Sequence, residues 1–487
     1  MKKMKKTICM IALCALAGAG TQAQEKSKLA FHGNGKFKIA QFTDIHWVHG
    51  EPTCAKVTET IKAVLAAEQP DVAILTGDVA YKVPDREPWT DIPKIFEDAR
   101  TPFAVTFGNH DGESSTQISR EEIMDILSRS PWFLGEKGPE DIHGVGNYVL
   151  PVYSSKGNRT AALLYCFDSN TYSTNPKYGV YAPVYFDQIA WYRKQSDAFT
   201  AANSGEPLPA LAFFHIPLPE YSHVSGQKNT LGTSEEKPSP PGYNTGLLGS
   251  FIEQKDVMGV FVGHDHANDY IGIEHYIALA YGRVSGWEAY GRLERGARII
   301  ELFEDEFVFD SWIRTPKGTE LTFHYPSAIT SVDEETMTYL PARQVNPDKQ
   351  GVRFTYYEGE FGSVKKITPD KKVSEGVMPY FSVNDAPSED HFAYEFRTWI
   401  KIPERAVYSF YTISDDGSQI YIDDRLVVDK DWSHIMRVNG KVALEAGFHE
   451  LKVLFYDDTW GQSLEVGYSS KNIRDGKLPE NILFINH

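Results

Sequence analysis

Five short apolar runs interrupt the polar stretches of this chain, and each stops on a residue type that can hold a metal or move a proton. They are residues 37–42 before Thr43-Asp44-Ile45-His46, 71–76 before Gly77-Asp78, 103–107 before Gly108-Asn109-His110-Asp111, 210–214 before His215, and 257–262 before Gly263-His264-Asp265-His266. Their length and their β-branched and aromatic content predict buried strands. Between the first two, Val57, Ile61, Val64 and Leu65 recur at helical spacing, and Pro70-Asp71 stops that helix before the next strand, giving a βαβ unit. A second helix is expected after Asp187, read as its N-cap. Residues 223–246 show no periodicity and are dense in Gly, Pro and Ser; loops of that length are usually functional, and its position shortly after His215 predicts a place at the rim of a site.

The alternation of strand-like and helix-like segments runs over 29–315 and gives way at 316–350 to a polar, proline-bearing stretch that reads as a linker. Over 351–487, short alternating strands separated by turn clusters such as Ser414-Asp415-Asp416-Gly417 predict an all-β sandwich. Residues 1–23 stand apart. Lys2, Lys3, Lys5 and Lys6 precede an apolar stretch and a Thr21-Gln22-Ala23 cleavage pattern, which predicts a secretory signal peptide and an exported product, periplasmic or extracellular in a bacterium. The mature domain is then expected at 24–315. No later run is long enough to span a membrane.

The formal charge of −17 becomes still more acidic without the four N-terminal lysines. That excludes nucleic acid as a scaffold partner, because backbone phosphates need a cationic face. Two cysteines, Cys54 and Cys166, remain beyond the leader, and Cys166 in its apolar run reads as a core residue rather than half of a disulfide.

In open α/β sheets, ligands bind beyond the carboxyl ends of the strands. Asp, His and Asn at five such ends therefore predict one site built from five loops. Carboxylate, imidazole and amide donors suit hard or borderline cations, and there are too few cysteines for a thiolate site. His49 and Asn244 are candidates for the pocket wall, His143 and His223 read as surface or core histidines, and Asp265, between two ligand types, as a hydrogen-bonding neighbour.

Asp-x-His, Gly-Asp, Gly-Asn-His-Asp, a lone His after a strand and Gly-His-x-His, in this order, resemble the calcineurin-like metallophosphoesterases. The strings around His215 (AFFHIPLPEY), at 243–248 (YNTGLL), at 259–270 (GVFVGHDHANDY) and at 281–286 (YGRVSG) resemble more narrowly the purple acid phosphatase-like branch. The resemblance implies a four-layer α/β/β/α sandwich with two metal ions, one held by Asp44, His46 and His266 and one by Asn109, His215 and His264, with Asp78 bridging them. It implies hydrolysis of phosphate esters by water activated between the ions, which would be iron, manganese or zinc. His110 would protonate the leaving oxygen or stabilise the equatorial oxygens, with Asp111 orienting its ring. Purple acid phosphatases use a tyrosine at the spacing of Tyr81 as an iron(III) ligand but lack a histidine at the place of His46; this chain has both, and His46 is the favoured ligand.

Residues 351–487 resemble the protective-antigen-type β-sandwich domain, on the strings 351–359, 407–424 and Ala446-Gly447-Phe448-His449. The resemblance implies a module that accompanies glycan-active enzymes and adhesins, some members binding sugar through paired aspartates and calcium; Asp415 and Asp416 match that pair, and Trp432 and Trp460 are candidate stacking platforms. The sequence thus points to an exported dimetal phosphohydrolase acting on phosphate esters, with an accessory sandwich that binds glycan. A phosphodiesterase on the same dimetal site, and a glycan-binding or adhesion protein with an inactive phosphoesterase scaffold, are the alternatives.

Overall fold

The computed structural model describes residues 28–82, 86–113, 118–175, 177, 179–227 and 230–486; the expected signal peptide lies outside them. The first domain contains β1 (Lys36–Phe42), α1 (Thr53–Glu68), β2 (Val72–Thr76), α2 (Pro88–Ala99), β3 (Phe103–Thr106), α3 (Arg120–Leu127), β4 (Tyr148–Tyr153), β5 (Thr160–Cys166), α4 (Phe186–Ala202), β6 (Ala210–Phe213), α5 (Tyr221–Val224), α6 (Leu247–Gln254), β7 (Val257–Val262), β8 (Ile271–Glu274), β9 (Ile277–Tyr281), β10 (Ala297–Phe303), β11 (Phe309–Thr315), β12 (Gly318–Tyr325), β13 (Ile329–Thr330) and α7 (Ser331–Thr336).

These strands form two sheets, ordered β13-β12-β11-β10-β1-β2-β3 and β4-β5-β6-β7-β9-β8. β1, β2 and β3 are parallel, as are β5, β6, β7 and β9. Strand periodicity assigns the layers. In β6, Leu211 and Phe213 join the core shared with the first sheet, whereas Ala210 and Ala212 face a second core with Tyr192 of α4 and Phe251 of α6. On the far side, Val57 and Ile61 of α1 and Ile95 and Phe96 of α2 close the first sheet. The result is helix, sheet, sheet, helix, with the central strands buried on both faces; this is why they read as unbroken apolar runs rather than alternating ones.

Two sequence expectations need adjusting. The first sheet does not stop at residue 315: β12 and β13 extend it to Thr330, and α7 follows, so much of the expected linker is regular structure. The α4 helix begins two residues earlier than expected, with Tyr185 at its N-cap and Asp187 in the first turn, where the Asp187 carboxylate accepts from His143 N.

The second domain comprises β14 (Lys349–Gln350), β15 (Val352–Glu358), β16 (Lys372–Met378), β17 (Phe392–Ile402), β18 (Ala406–Asp415), β19 (Ser418–Ile422), β20 (Arg425–Lys430), β21 (Met436–Leu444), β22 (Gly447–Asp457), β23 (Ser463–Ser470), β24 (Gly476–Lys477) and β25 (Leu483–Ile485). They form an eight-stranded and a four-stranded sheet, β21-β18-β23-β24 being the smaller. Inward side chains such as Phe396, Phe410, Val453 and Val466 fill the space between them. Cys54 and Cys166 are both free thiols. No helix among the described residues is long and apolar enough to cross a membrane.

Candidate metal centre

The candidate ligands sit in the residues that follow the parallel strands, where the chain must turn sharply. Asp44, His46, Asp78 and His264 take up the left-handed region, with φ of 50°, 46°, 49° and 81°. Non-glycine residues held there cost about 1–3 kcal/mol each and persist only where surrounding contacts impose them. Here the strand-end hydrogen bonds do so: Asp44 N donates to Gly77 O (3.1 Å), His46 N to Asp78 O (2.9 Å) and Gly286 N to Asp44 O (3.0 Å). Two glycines admit the ligands. A Cβ on Gly77, itself at φ 82°, would fall 2.5 Å from the His215 ring, and one on Gly108 would fall 2.2 Å from Asp78 Oδ1. The sequence thus places small residues where side chains must converge.

Six of the seven expected ligands come together. Asp44, His46, Asp78 and His266 form one buried group, and Asp78, His215 and His264 a second, so Asp78 belongs to both. His215 Nε2 lies 3.1 Å from Asp78 Oδ2 and His266 Nε2 lies 3.2 Å from Asp44 Oδ1. His46 Nε2 is 3.7 Å from Asp78 Oδ2. Asn109 precedes His110, whose N–H donates to Asp78 Oδ1 at 2.8 Å.

Several atoms in this pocket lack the partners that burial normally demands. Both ring nitrogens of His46, Nδ1 of His266 and Oδ1 of Asn109 are buried without a hydrogen bond. His264 Nδ1 and His215 Nε2 face each other at 3.3 Å. The opposite nitrogen of His215 donates to Thr76 O at 2.8 Å, which leaves Nε2 as the nitrogen that faces the pocket. Orphaned imidazole and amide donors around a shared carboxylate fit cations well, and nothing in the donor set conflicts with them.

The electrostatics are those of a tightly coupled cluster. Burial alone would raise Asp44, but the imidazoles of His266 and His215 outweigh it and hold the carboxyl down at about 2. Asp78 is driven well below its ordinary range in the same way, by His215 and His46 against burial. Burial would lower His215, yet the carboxylates of Asp78 and Asp44 push it up to about 9. His264 is pressed down to about 3 by burial and then by the charge of His215.

His110 is partly buried at the mouth, its Nε2 3.9 Å from Asp78 Oδ2. The expectation that Asp111 orients its ring is replaced by a different arrangement. Asp111 is buried and accepts from the backbone N–H groups of Val79, Ala80 and Gly108, each at 3.0 Å, so its carboxylate staples two strand ends. The partner of His110 Nδ1 is Glu113, at 2.5 Å. Tyr81 packs its ring on His46 (centroids 4.7 Å apart) and on His110 (5.1 Å). Asp265 accepts from Tyr281 Oη (2.6 Å) and Ser239 N (3.0 Å), the supporting role expected of it.

The other candidates lie in ordinary surroundings. His49, His143 and His223 pair with Asp91, Asp187 and Glu274, and Asn244 donates to Glu220. The 223–246 loop does reach the rim: Glu236 accepts from Ala267 N (2.6 Å) and from Tyr290 Oη (2.9 Å), and the Tyr290 ring packs on His266 at 4.1 Å. Sequence reasoning missed Glu113, Tyr172, Tyr181, Tyr290 and Arg120. Of these only Glu113 carried a signal, being three residues beyond His110. Arg120, at the start of α3, donates to Gly108 O and Asp111 O and so buttresses the loop from outside.

In the second domain, Asp416 Oδ2 accepts from Asp458 N (3.0 Å), and the Asp415–Asp416 peptide is cis. Asp457 beside them is fully buried with both carboxylate oxygens unpartnered, a group not singled out in the sequence. Burial, then the neighbouring Asp416 and Asp390, push it up to about 7. Trp460 is 98% exposed and Trp432 42%.

A fold of this kind with its ligands at the strand ends defines a metallophosphoesterase, and the comparisons agree. Residues 37–268 match the calcineurin-like phosphoesterase model and residues 348–480 the PA14 domain, the protective-antigen-type module. The chain is 32% identical over 309 residues to the Arabidopsis thaliana protein named "Probable inactive purple acid phosphatase 29", covering 57% of this chain and 79% of that protein. It is 31% identical over 341 residues to "Phosphatase DCR2" of Saccharomyces cerevisiae, covering 62% and 58%. A solved dimetal phosphatase from Danio rerio superimposes with a TM-score of 0.42 at 11% identity, over 59% of this chain and 98% of that one. The chain belongs to the calcineurin-like phosphoesterases, with purple acid phosphatase-like relatives and a C-terminal PA14 domain.

Proposed function

We propose that this protein is an exported dimetal phosphohydrolase that cleaves phosphate esters. One observation carries the reading: the buried Asp78 carboxylate is common to two groups of metal-binding side chains. Asp44, His46 and His266 would hold one ion and Asn109, His215 and His264 the other, with Asp78 shared. When bound, two such cations polarise the phosphoryl oxygens and make water nucleophilic at neutral pH. The chain's own part is then positional. The buried walls exclude bulk water, and His110, at the mouth and facing Asp78, holds the proton that the departing oxygen requires. The donor set suits iron, manganese or zinc, with His46 rather than Tyr81 as the ligand.

A scaffold without turnover is favoured by one fact, the word "inactive" in the names of several relatives. Against it, every ligand position in this chain carries a competent residue. The test is to load the purified protein with Fe, Mn, Zn or Co and assay a panel of phosphomonoesters and phosphodiesters. Metal-dependent hydrolysis of at least one class is expected; no hydrolysis with any metal would favour the scaffold.

For the PA14 domain we propose glycan binding assisted by calcium at Asp415 and Asp416. The unpartnered Asp457 oxygens and the exposed Trp460, a few residues further along the chain, support the reading: buried carboxylates without donors suit a hard cation, and a free indole suits stacking on a sugar face. Export is proposed on the pattern of residues 1–23.

A further inference from the structure

Glu113 divides its carboxylate between two partners. Oε2 meets His110 Nδ1 at 2.5 Å, and Oε1 accepts from Tyr172 Oη at 2.8 Å. Tyr172 Oη in turn accepts from Asn109 Nδ2 at 3.3 Å. A single chain of hydrogen bonds therefore runs from the amide of Asn109 through a phenol and a carboxylate to the ring of His110. It fixes two orientations at once. The amide nitrogen of Asn109 is occupied, so its Oδ1 is the atom left buried and unpartnered. The Nδ1 of His110 is occupied, so its Nε2 is the nitrogen that faces Asp78.

The phenol is itself held. Tyr172 bridges to Tyr181 across the loop, their rings stack at 5.6 Å with 25° between planes, and Tyr181 meets the His264 ring edge-on at 4.5 Å. The carboxylate thus has a supporting wall built from the same side chains that line the second ligand group. His110 and Glu113 are 24% and 40% exposed, which places the pair at the entrance, where a departing group would leave.

We infer that Glu113 is the positioning residue of His110: clamped by Tyr172, it fixes the imidazole so that Nε2 is presented to the reacting phosphate. Its carboxylate does for the ring what an outer hydrogen-bond partner does for any functional histidine, setting tautomer and direction. Asp111 serves the loop backbone and Glu113 the side chain.

The kinetic arm of the test rests on the phosphohydrolase reading, and a spectroscopic arm does not. The full-length protein labelled with ¹⁵N-histidine should give a side-chain Nδ1–H resonance for His110, identified by its absence in His110→Ala. Glu113→Ala should lose that resonance to solvent exchange; an unchanged resonance would overturn the proposal. In the manganese-loaded protein, Glu113→Ala and Glu113→Gln should keep wild-type metal content. Their kcat should fall on the order of 10-fold to 100-fold for an alkyl phosphate, whose leaving oxygen needs a proton, with KM little changed. For p-nitrophenyl phosphate, whose leaving group needs none, the loss should be under about 3-fold. Equal losses on both esters would mean a merely structural role and would overturn the proposal. Should wild type hydrolyse none of the panel of phosphomonoesters and phosphodiesters with any metal, the phosphohydrolase reading fails, and the resonance alone decides the role of Glu113.

Discussion

His110 and Asp111 are neighbours in sequence and do different work. His110 stands at the mouth of the pocket, whereas Asp111 is consumed by three backbone N–H groups. His110→Ala should therefore retain both metals and lose on the order of 10²–10⁴-fold in turnover, read by metal analysis and steady-state kinetics together. Metal loss in step with activity would place His110 among the ligands instead. Gly108 makes the opposite point, that a residue without a side chain can be as necessary as a ligand. A methyl there would fall 2.2 Å from Asp78 Oδ1. Gly108→Ala should displace the shared carboxylate, lower the metal content below that of wild type and cost about 1–3 kcal/mol of stability in thermal unfolding.

The elements that carry the site were legible because of where they lie. β1, β2, β3, β6 and β7 are covered on both faces, so each reads as an unbroken apolar run, and the ligands follow within a few residues. β12 was not legible: it lies toward the margin of its sheet, much of it polar and partly exposed, so no apolar face marks it as a strand. Tyr172 and Tyr181 escaped for another reason. They meet through an isolated bridge within an irregular loop, and contacts of that kind have no period to detect. In the second domain, the turn after β19 shows how a polar element is pinned. Asp423 accepts from His449 Nδ1 (2.7 Å), Arg343 Nε (2.9 Å) and Glu450 N (3.0 Å). Burial would raise this carboxyl, but His449 and Arg343 hold it below its ordinary value of 3.8. A lowered acid stabilises the fold fully above its unfolded value, and the contribution is lost as pH falls below about 4. Asp423→Asn should cost about 3 kcal/mol at neutral pH, and should remove that part of the acid dependence in pH-dependent thermal melts.

At the scale of the whole molecule, the two domains are joined by more than a tether. Ile329 of β13 packs with Val407 and Ala443, and Lys441 Nζ donates to Ala328 O (3.0 Å) and Asp333 Oδ2 (2.5 Å). Tyr276 Oη accepts from Arg437 N at 2.7 Å, and Arg474 pairs with Glu306. The stretch read as a linker thus includes much of the junction. Lys441→Ala should weaken that contact by about 1–2 kcal/mol. Scanning calorimetry should then show the two domains melting further apart than in wild type; unchanged spacing would mean that they are energetically independent.

A dimetal centre in this fold depends most on Asp78, the carboxylate common to both ligand groups. The most direct test is the metal stoichiometry of the purified full-length protein beside its Asp78→Asn variant. Two ions per chain are predicted for wild type, with both largely lost in the variant; a wild-type chain that binds one ion or none, or a variant that keeps two, would contradict the dimetal centre.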